Sequence, residues 1–373
     1  MSFGYHGKIL HVNLTDSSIF EERPPDAFYR KYLGGSAMGM YYILNDMSPG
    51  ADPLGPDNIL TLMLSVLTGA PISGQSRLTA NAKSPLVDGI GDSQSGGFFP
   101  AELKFAGYDG IVVKGQSEKP VYLWIKDGLA ELRDATHLWG KSTGDVDNIL
   151  KSELCDKKIE VMQCGPAGEK LASLAAIINM ANRANGRTGL GAVMGSKRLK
   201  AVVVRGTSKK LPVASPKQLN SFARGGVTDF DNNASMVGLR KDGTAGVTTR
   251  QHADGGLPTY NFNAGQFAGS DSISGELMTD TILTGRETCY ACTVRCKRSV
   301  TTTYQDEEVD EKYGGPEYET LATFGSYCGV SDLSAVAMAN QICNEYGLDT
   351  IGTGATIAWA MECFEEGIIS VQD

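Results

Sequence analysis

An α+β fold is predicted, with a strand-rich amino-terminal region followed by a mainly helical one. Short β-branched runs bounded by glycine or turn residues recur through the first 210 residues, and beyond them apolar residues return at helical spacing. At 373 residues the chain exceeds one typical domain. The predicted division is a β-rich domain over 1–210 and a mainly helical domain over 211–373. A hydrophobic share of 41%, a charged share of 21% and a formal net charge of −9 describe a globular chain and argue against binding to nucleic-acid phosphates.

Taken in order, residues 7–14 alternate apolar and polar, 15–18 turn the chain and Ile19-Phe20 resumes it, which predicts a hairpin. Asp26 caps a short helix ending at Gly34-Gly35, and 38–47 has helical spacing. Strands are predicted at 110–114, 121–125, 130–133, 159–162 and 200–205, with Asp127-Gly128 as a tight hairpin turn. Helical periodicity then covers 216–223, 333–346 and 351–366. No segment has the apolar core of a signal peptide or 18 uninterrupted apolar residues, so a cytoplasmic protein without a membrane span is expected.

Glycine is abundant, 45 residues or about 12% against a usual 7% or so. Four loops of the first region, 71–77, 92–99, 165–168 and 182–191, combine glycine with hydroxyls, amides and Arg77, Arg183 and Arg187. Such loops expose backbone N–H groups, and arginine forks fit phosphate. None carries a P-loop or a clean dinucleotide fingerprint: Gly189, Gly191 and Gly195 precede a strand where that fingerprint follows one. One such loop alone is most simply a tight turn; four with three arginines point to a large phosphorylated cofactor.

Cys289, Cys292 and Cys296 form C-x2-C-x3-C with Arg295, Lys297 and Arg298 beside them. Thiolates at this spacing converge on a soft metal centre, and the cationic flank favours an iron–sulfur cluster. Zinc would call for a second C-x2-C pair, and three buried thiols in a turn is the remaining alternative. The other five cysteines, 155, 164, 328, 343 and 363, read as isolated thiols in a reducing compartment. His6, His11, His137 and His252 form no spaced pair.

The strings Tyr32-Leu-Gly-Gly35, Ser73-Gly-Gln-Ser-Arg77, Ser95-Gly-Gly-Phe-Phe99, Gly165-Pro-Ala-Gly-Glu169, Gly191-Ala-Val-Met-Gly-Ser-Lys197 and Gly315-Pro-Glu-Tyr-Glu319, with the cysteine triad, resemble the aldehyde ferredoxin oxidoreductase family of tungsten enzymes over the whole chain. That resemblance implies a β-rich domain cradling a tungsten (or molybdenum) bis-pyranopterin and helical domains carrying a [4Fe–4S] cluster. Cys289, Cys292 and Cys296 look like three cluster ligands, Arg77 like the arginine between cluster and pterin, and the backbone carbonyls of Gln94 and Ala184 like the ligands of a bridging Mg2+. Gln94 stands where the family commonly has asparagine. Ser95, Gly96, Gly97, Arg183, Gly186 and Arg187 would line the pterins, and Asp349 resembles the aspartate bonded to a pterin ring. Glu317 is similar to the acid near the metal. On their own terms Glu317 and Asp349 are equally good helix N-terminal carboxylates. A fourth cluster cysteine and a proton-donating histidine belong, by the resemblance, to a portion beyond residue 373.

The implied activity is oxidation of an aldehyde to a carboxylic acid, with electrons passing to ferredoxin or another iron–sulfur subunit in a homo- or hetero-oligomer. Two alternatives stand beside it: the tungsten subunit of an aromatic-ring acyl-CoA reductase, and a non-catalytic pterin- or cluster-binding subunit.

Overall fold

The structure, a computed structural model, describes residues 3–372 and has the α+β class. Its chain forms two compact units. The first comprises residues up to Val227 with two later returns, Cys289–Thr293 and Glu345–Leu348; the second takes the rest.

Two six-stranded sheets build the first unit. One has the order β2-β1-β6-β3-β4-β5, with β1 Ile9–Asn13, β2 Ser18–Glu22, β3 Leu60–Leu64, β4 Leu78–Lys83, β5 Ile90–Ser95 and β6 Gly110–Lys114. The other has the order β11-β10-β9-β12-β7-β8, with β7 Val121–Lys126, β8 Leu129–Asp134, β9 Glu160–Cys164, β10 Ile177–Asn179, β11 Arg183–Asn185 and β12 Leu199–Arg205. The predicted hairpins form: β1 pairs antiparallel with β2, and β7 with β8 across Asp127-Gly128, whose φ values of 47° and 87° suit a tight turn.

Period-two alternation sorts the side chains. Leu10, Val12, Leu62, Ile111 and Val113 of the first sheet share one apolar core with Leu123, Ile125, Met162, Val202 and Val204 of the second and with helices Phe99–Phe105 and Leu190–Ser196. The alternate residues face outward and are covered as well. Ile9, Met63 and Val112 lie under helices Asp26–Tyr32 and Gly35–Asp46, while Tyr122, Trp124, Val161 and Val203 lie under helix Thr143–Glu153. Strands buried on both faces explain the unbroken apolar runs of the sequence.

Helices surround the second unit's own core of Ala245, Leu257, Phe267, Met278, Leu321, Val336 and Ala358, accompanied by the short hairpin of β13 Leu283–Glu287 and β14 Lys297–Val300. Among the described residues no helix is long and apolar enough to cross a membrane.

Candidate functional site

The free edges of the two sheets, β5 and β11, lie side by side in the first unit. Their pairing is made by side chains rather than by a ladder. Asn185 donates from Nδ2 to the Ser93 carbonyl at 2.7 Å and accepts from Ser95 Oγ at 2.8 Å, while Asn179 Nδ2 donates to the same Ser95 hydroxyl at 3.1 Å. Gln94 of β5 pairs with Thr79 and Ala184 of β11 with Ile178, each of these strands being the last of its sheet.

Beyond Ser95 the chain turns at Gly96-Gly97. A Cβ on Gly96 would meet Cys289 Sγ at 2.8 Å, with Arg77 Nη1 3.8 Å away. Gly97 has φ of 101°, and a Cβ there would meet Asn179 Oδ1 at 2.6 Å and Met180 Sδ at 2.9 Å. Glycine is required twice over, by conformation and by space. The facing turn of β10 into β11 is strained, because Met180 and Ala181 both have positive φ, 52° and 55°, without being glycine.

The cysteine loop returns to this same turn. Gly97 N–H donates to Cys289 Sγ at 3.1 Å, Tyr290 N–H donates to the Gly97 carbonyl at 3.2 Å, and Ser76 Oγ donates to that carbonyl at 2.7 Å. Cys292 Sγ lies 3.4 Å from Ser73 Oγ. Arg77, Ser95, Gly96, Gly97, Arg183 and Cys289 are thus neighbours, with Gly186 and exposed Arg187 following directly on β11.

These residues fit a bulky anionic group beside sulfur-bound metal. Arg77 and Arg183 lie beside the glycine turn, and three buried polar atoms, Asn179 Oδ1, Ser93 Oγ and Asn81 Oδ1, have no hydrogen-bond partner. Among the described residues no three His, Cys, Asp or Glu side chains converge on one metal position.

The second unit holds Cys296, Glu317 and Asp349. Glu317 starts the turn Tyr318–Thr320, accepts from Thr244 Oγ1 and pairs with buried Lys297 Nζ at 3.3 Å. After it, Leu321–Ser326 widens into a π-helix, a form frequent at functional sites. Arg298 is buried, and burial followed by repulsion from Arg286 pushes its guanidinium below the ordinary value. It donates to the carbonyls of Arg240 at 3.0 Å and Arg295 at 2.7 Å. Asp349 caps helix Thr350–Glu365 through Ile351 N–H at 3.1 Å and Gly352 N–H at 3.0 Å. Burial pushes the thiols of Cys328 and Cys343 up to about 11 and about 12.

Comparison with known proteins gives this geometry its setting. Residues 9–206 match the model of the aldehyde ferredoxin oxidoreductase N-terminal domain, and 224–373 match that of the family's domains 2 and 3. The chain belongs to the aldehyde ferredoxin oxidoreductase family. Within this family it is 42% identical over 369 residues to the tungsten-containing aldehyde ferredoxin oxidoreductase of Thermococcus kodakarensis, covering 99% of this chain and 60% of that one. It is 29% identical to the aliphatic sulfonate oxidoreductase WOR-like subunit of Pyrococcus furiosus, covering 100% of this chain and 61% of that one. Among solved structures it resembles the active-site complex BamBC of benzoyl coenzyme A reductase, with a TM-score of 0.87 and 28% identity over all of this chain and 58% of that one. The chain spans about 60% of the length of the curated relatives it matches.

Sequence reasoning passed over the residues that hold the site together: Gln75, Ser76, Asn179, Asn185 and Tyr290. Gln75 and Ser76 lay inside a string already singled out, between Ser73 and Arg77. Asn179, Asn185 and Tyr290 carried no local signal, because their partners are more than 80 residues away in sequence.

Proposed function

We propose that this chain serves a tungsten-dependent oxidoreductase that converts an aldehyde and water into a carboxylic acid, two electrons and two protons. What carries the reading is the meeting of Arg77, the Gly96-Gly97 turn, Arg183 and Cys289 at the β5–β11 edge of a family member. When bound, a tungsten (or molybdenum) bis-pyranopterin would supply two-electron chemistry and a [4Fe–4S] cluster single-electron transfer to ferredoxin or another iron–sulfur subunit.

The chain's own residues bind and orient. Arg77 would lie between cluster and pterin, Ser95, Gly96, Gly97, Arg183, Gly186 and Arg187 would line the pterins, and Asp349 would bond a pterin ring. Carbonyls of Gln94 and Ala184 would hold Mg2+, which prefers oxygen ligands. Cys289, Cys292 and Cys296 ligate the cluster, and Gly97 N–H stabilises the first thiolate. Glu317, whose carboxylate accepts from Thr244 Oγ1 and lies 3.3 Å from Lys297 Nζ, would accept a proton released in the reaction. The reading places the protein in the cytoplasm as a homo- or hetero-oligomer.

The test is anaerobic, aldehyde-dependent reduction of a viologen dye by the purified gene product and its Glu317→Gln variant. Dye reduction that falls at least ~100-fold in the variant, with metal content kept, supports the assignment. No reduction with any aldehyde removes it. The likeness to the benzoyl coenzyme A reductase complex favours a second reading, reduction of an aromatic acyl-CoA ring, which predicts dye oxidation with an aryl-CoA thioester and none with aldehydes.

A further inference from the structure

Resting on that reading, we propose that Gln75 is a positioning residue. It locks the Cys289 loop onto the Gly96-Gly97 turn, so that the peptide receiving the pterin also helps set the reduction potential of the cluster.

Gln75 is buried, and both ends of its amide are committed. Oε1 accepts from Gly69 N–H at 2.7 Å, and Nε2 donates to the Tyr290 carbonyl at 3.2 Å, across 215 residues of sequence. A buried amide satisfied at both ends resists rotation, since turning it leaves a donor facing a donor. Tyr290 is held from three further directions. Its N–H bonds the Gly97 carbonyl, and its ring packs edge-on against Phe105 and Phe98 at centroid distances of 5.1 and 6.5 Å. The Lys209 ammonium lies 5.7 Å from the centre of that ring.

The lock matters because of its neighbour. With residue 290 fixed, Cys289 Sγ sits 3.1 Å from Gly97 N–H, a charge-assisted donor once the sulfur is a thiolate. Hydrogen bonds to cluster sulfurs favour the more negative, reduced state and raise the potential. Gly97 also abuts Asn179, Met180 and Arg183 of the β10–β11 turn. One peptide thereby answers to the pterin side and the sulfur side together.

Two variants separate locking from folding. Gln75→Met keeps the side-chain length and removes both amide bonds without adding charge, and Gln75→Leu removes them with a shorter side chain. The proposal predicts that Gln75→Met keeps its iron and a single cooperative thermal transition. Its reduced-to-oxidised ratio at fixed potential shifts about tenfold toward oxidised, about 59 mV for one electron, in an EPR-monitored titration. Hydrogen exchange at the Tyr290 amide quickens at least ~10-fold. Gln75→Leu shows the same shifts with a lower thermal midpoint. Iron retained with potential and exchange both unmoved overturns the proposal. If the unsubstituted protein holds no iron, the functional reading and the potential-setting role fall together, and exchange alone decides whether Gln75 locks the loop.

Discussion

β12 and β5 belong to one body and are held in it by different means. β12, Leu-Lys-Ala-Val-Val-Val-Arg, sits inside its sheet between β9 and β7, with its valines buried on both faces. β5, Ile-Gly-Asp-Ser-Gln-Ser, ends its sheet, alternates exposed and buried residues, and buries two serines. Apolar burial secures the first strand, and any well-packed aliphatic set would do so. The second depends on directed hydrogen bonds to Asn185, Asn179 and the β4 ladder. In this molecule apolar packing holds the sheet interiors, and side-chain hydrogen bonds hold the β5–β11 edge.

The sharpest way to break that contrast is to place a charge in each strand. Val203→Asp buries an unpaired carboxylate in β12 and should cost on the order of 4 kcal/mol or more, abolishing soluble expression. Asp is already tolerated in β5, at exposed Asp92. Gly97→Val comes next. Strain at a φ of 101° and the approach to Asn179 Oδ1 should cost about 1–3 kcal/mol in chemical denaturation. Tungsten content should fall at least ~10-fold, a loss out of proportion to the stability change. Asn185→Ala unstitches the two edges and leaves the Ser93 carbonyl without that donor, for about 1–2 kcal/mol, with partial loss of tungsten and no change in the β7–β8 hairpin by hydrogen exchange. The smallest effect is chemical. Burial pushes the Cys164 thiol of β9 up to about 12, so alkylation at pH 8 should spare it while modifying exposed Cys155, as read by peptide mass.

The same contrast decided what the sequence could disclose. β1, β6, β7 and β12 were legible because their apolar runs and the Asp127-Gly128 turn obey local rules. β4, β5 and β11 were not. Residues 92–99 read as a loop, whereas 90–95 form an edge strand, because Ser93 and Ser95 occupy inward positions that pattern rules reserve for apolar side chains. Residues 182–191 likewise divide into strand, turn and the start of helix Leu190–Ser196, whose buried glycines permit close backbone packing rather than looping. For the site, family strings brought Arg77, Gly96 and Gly97 forward from sequence alone, and the loop 182–191 brought Arg183. The return of Cys289–Thr293 to the amino-terminal unit is tertiary, and its bonds to Gly97 and Gln75 span about 200 residues.

Metal content per chain of anaerobically purified protein decides whether the β5–β11 edge serves a tungsten cofactor beside a cluster. About one tungsten and about four irons per chain are expected, both at that level in the same preparation. Protein that is folded by circular dichroism yet contains neither tungsten nor molybdenum would contradict it.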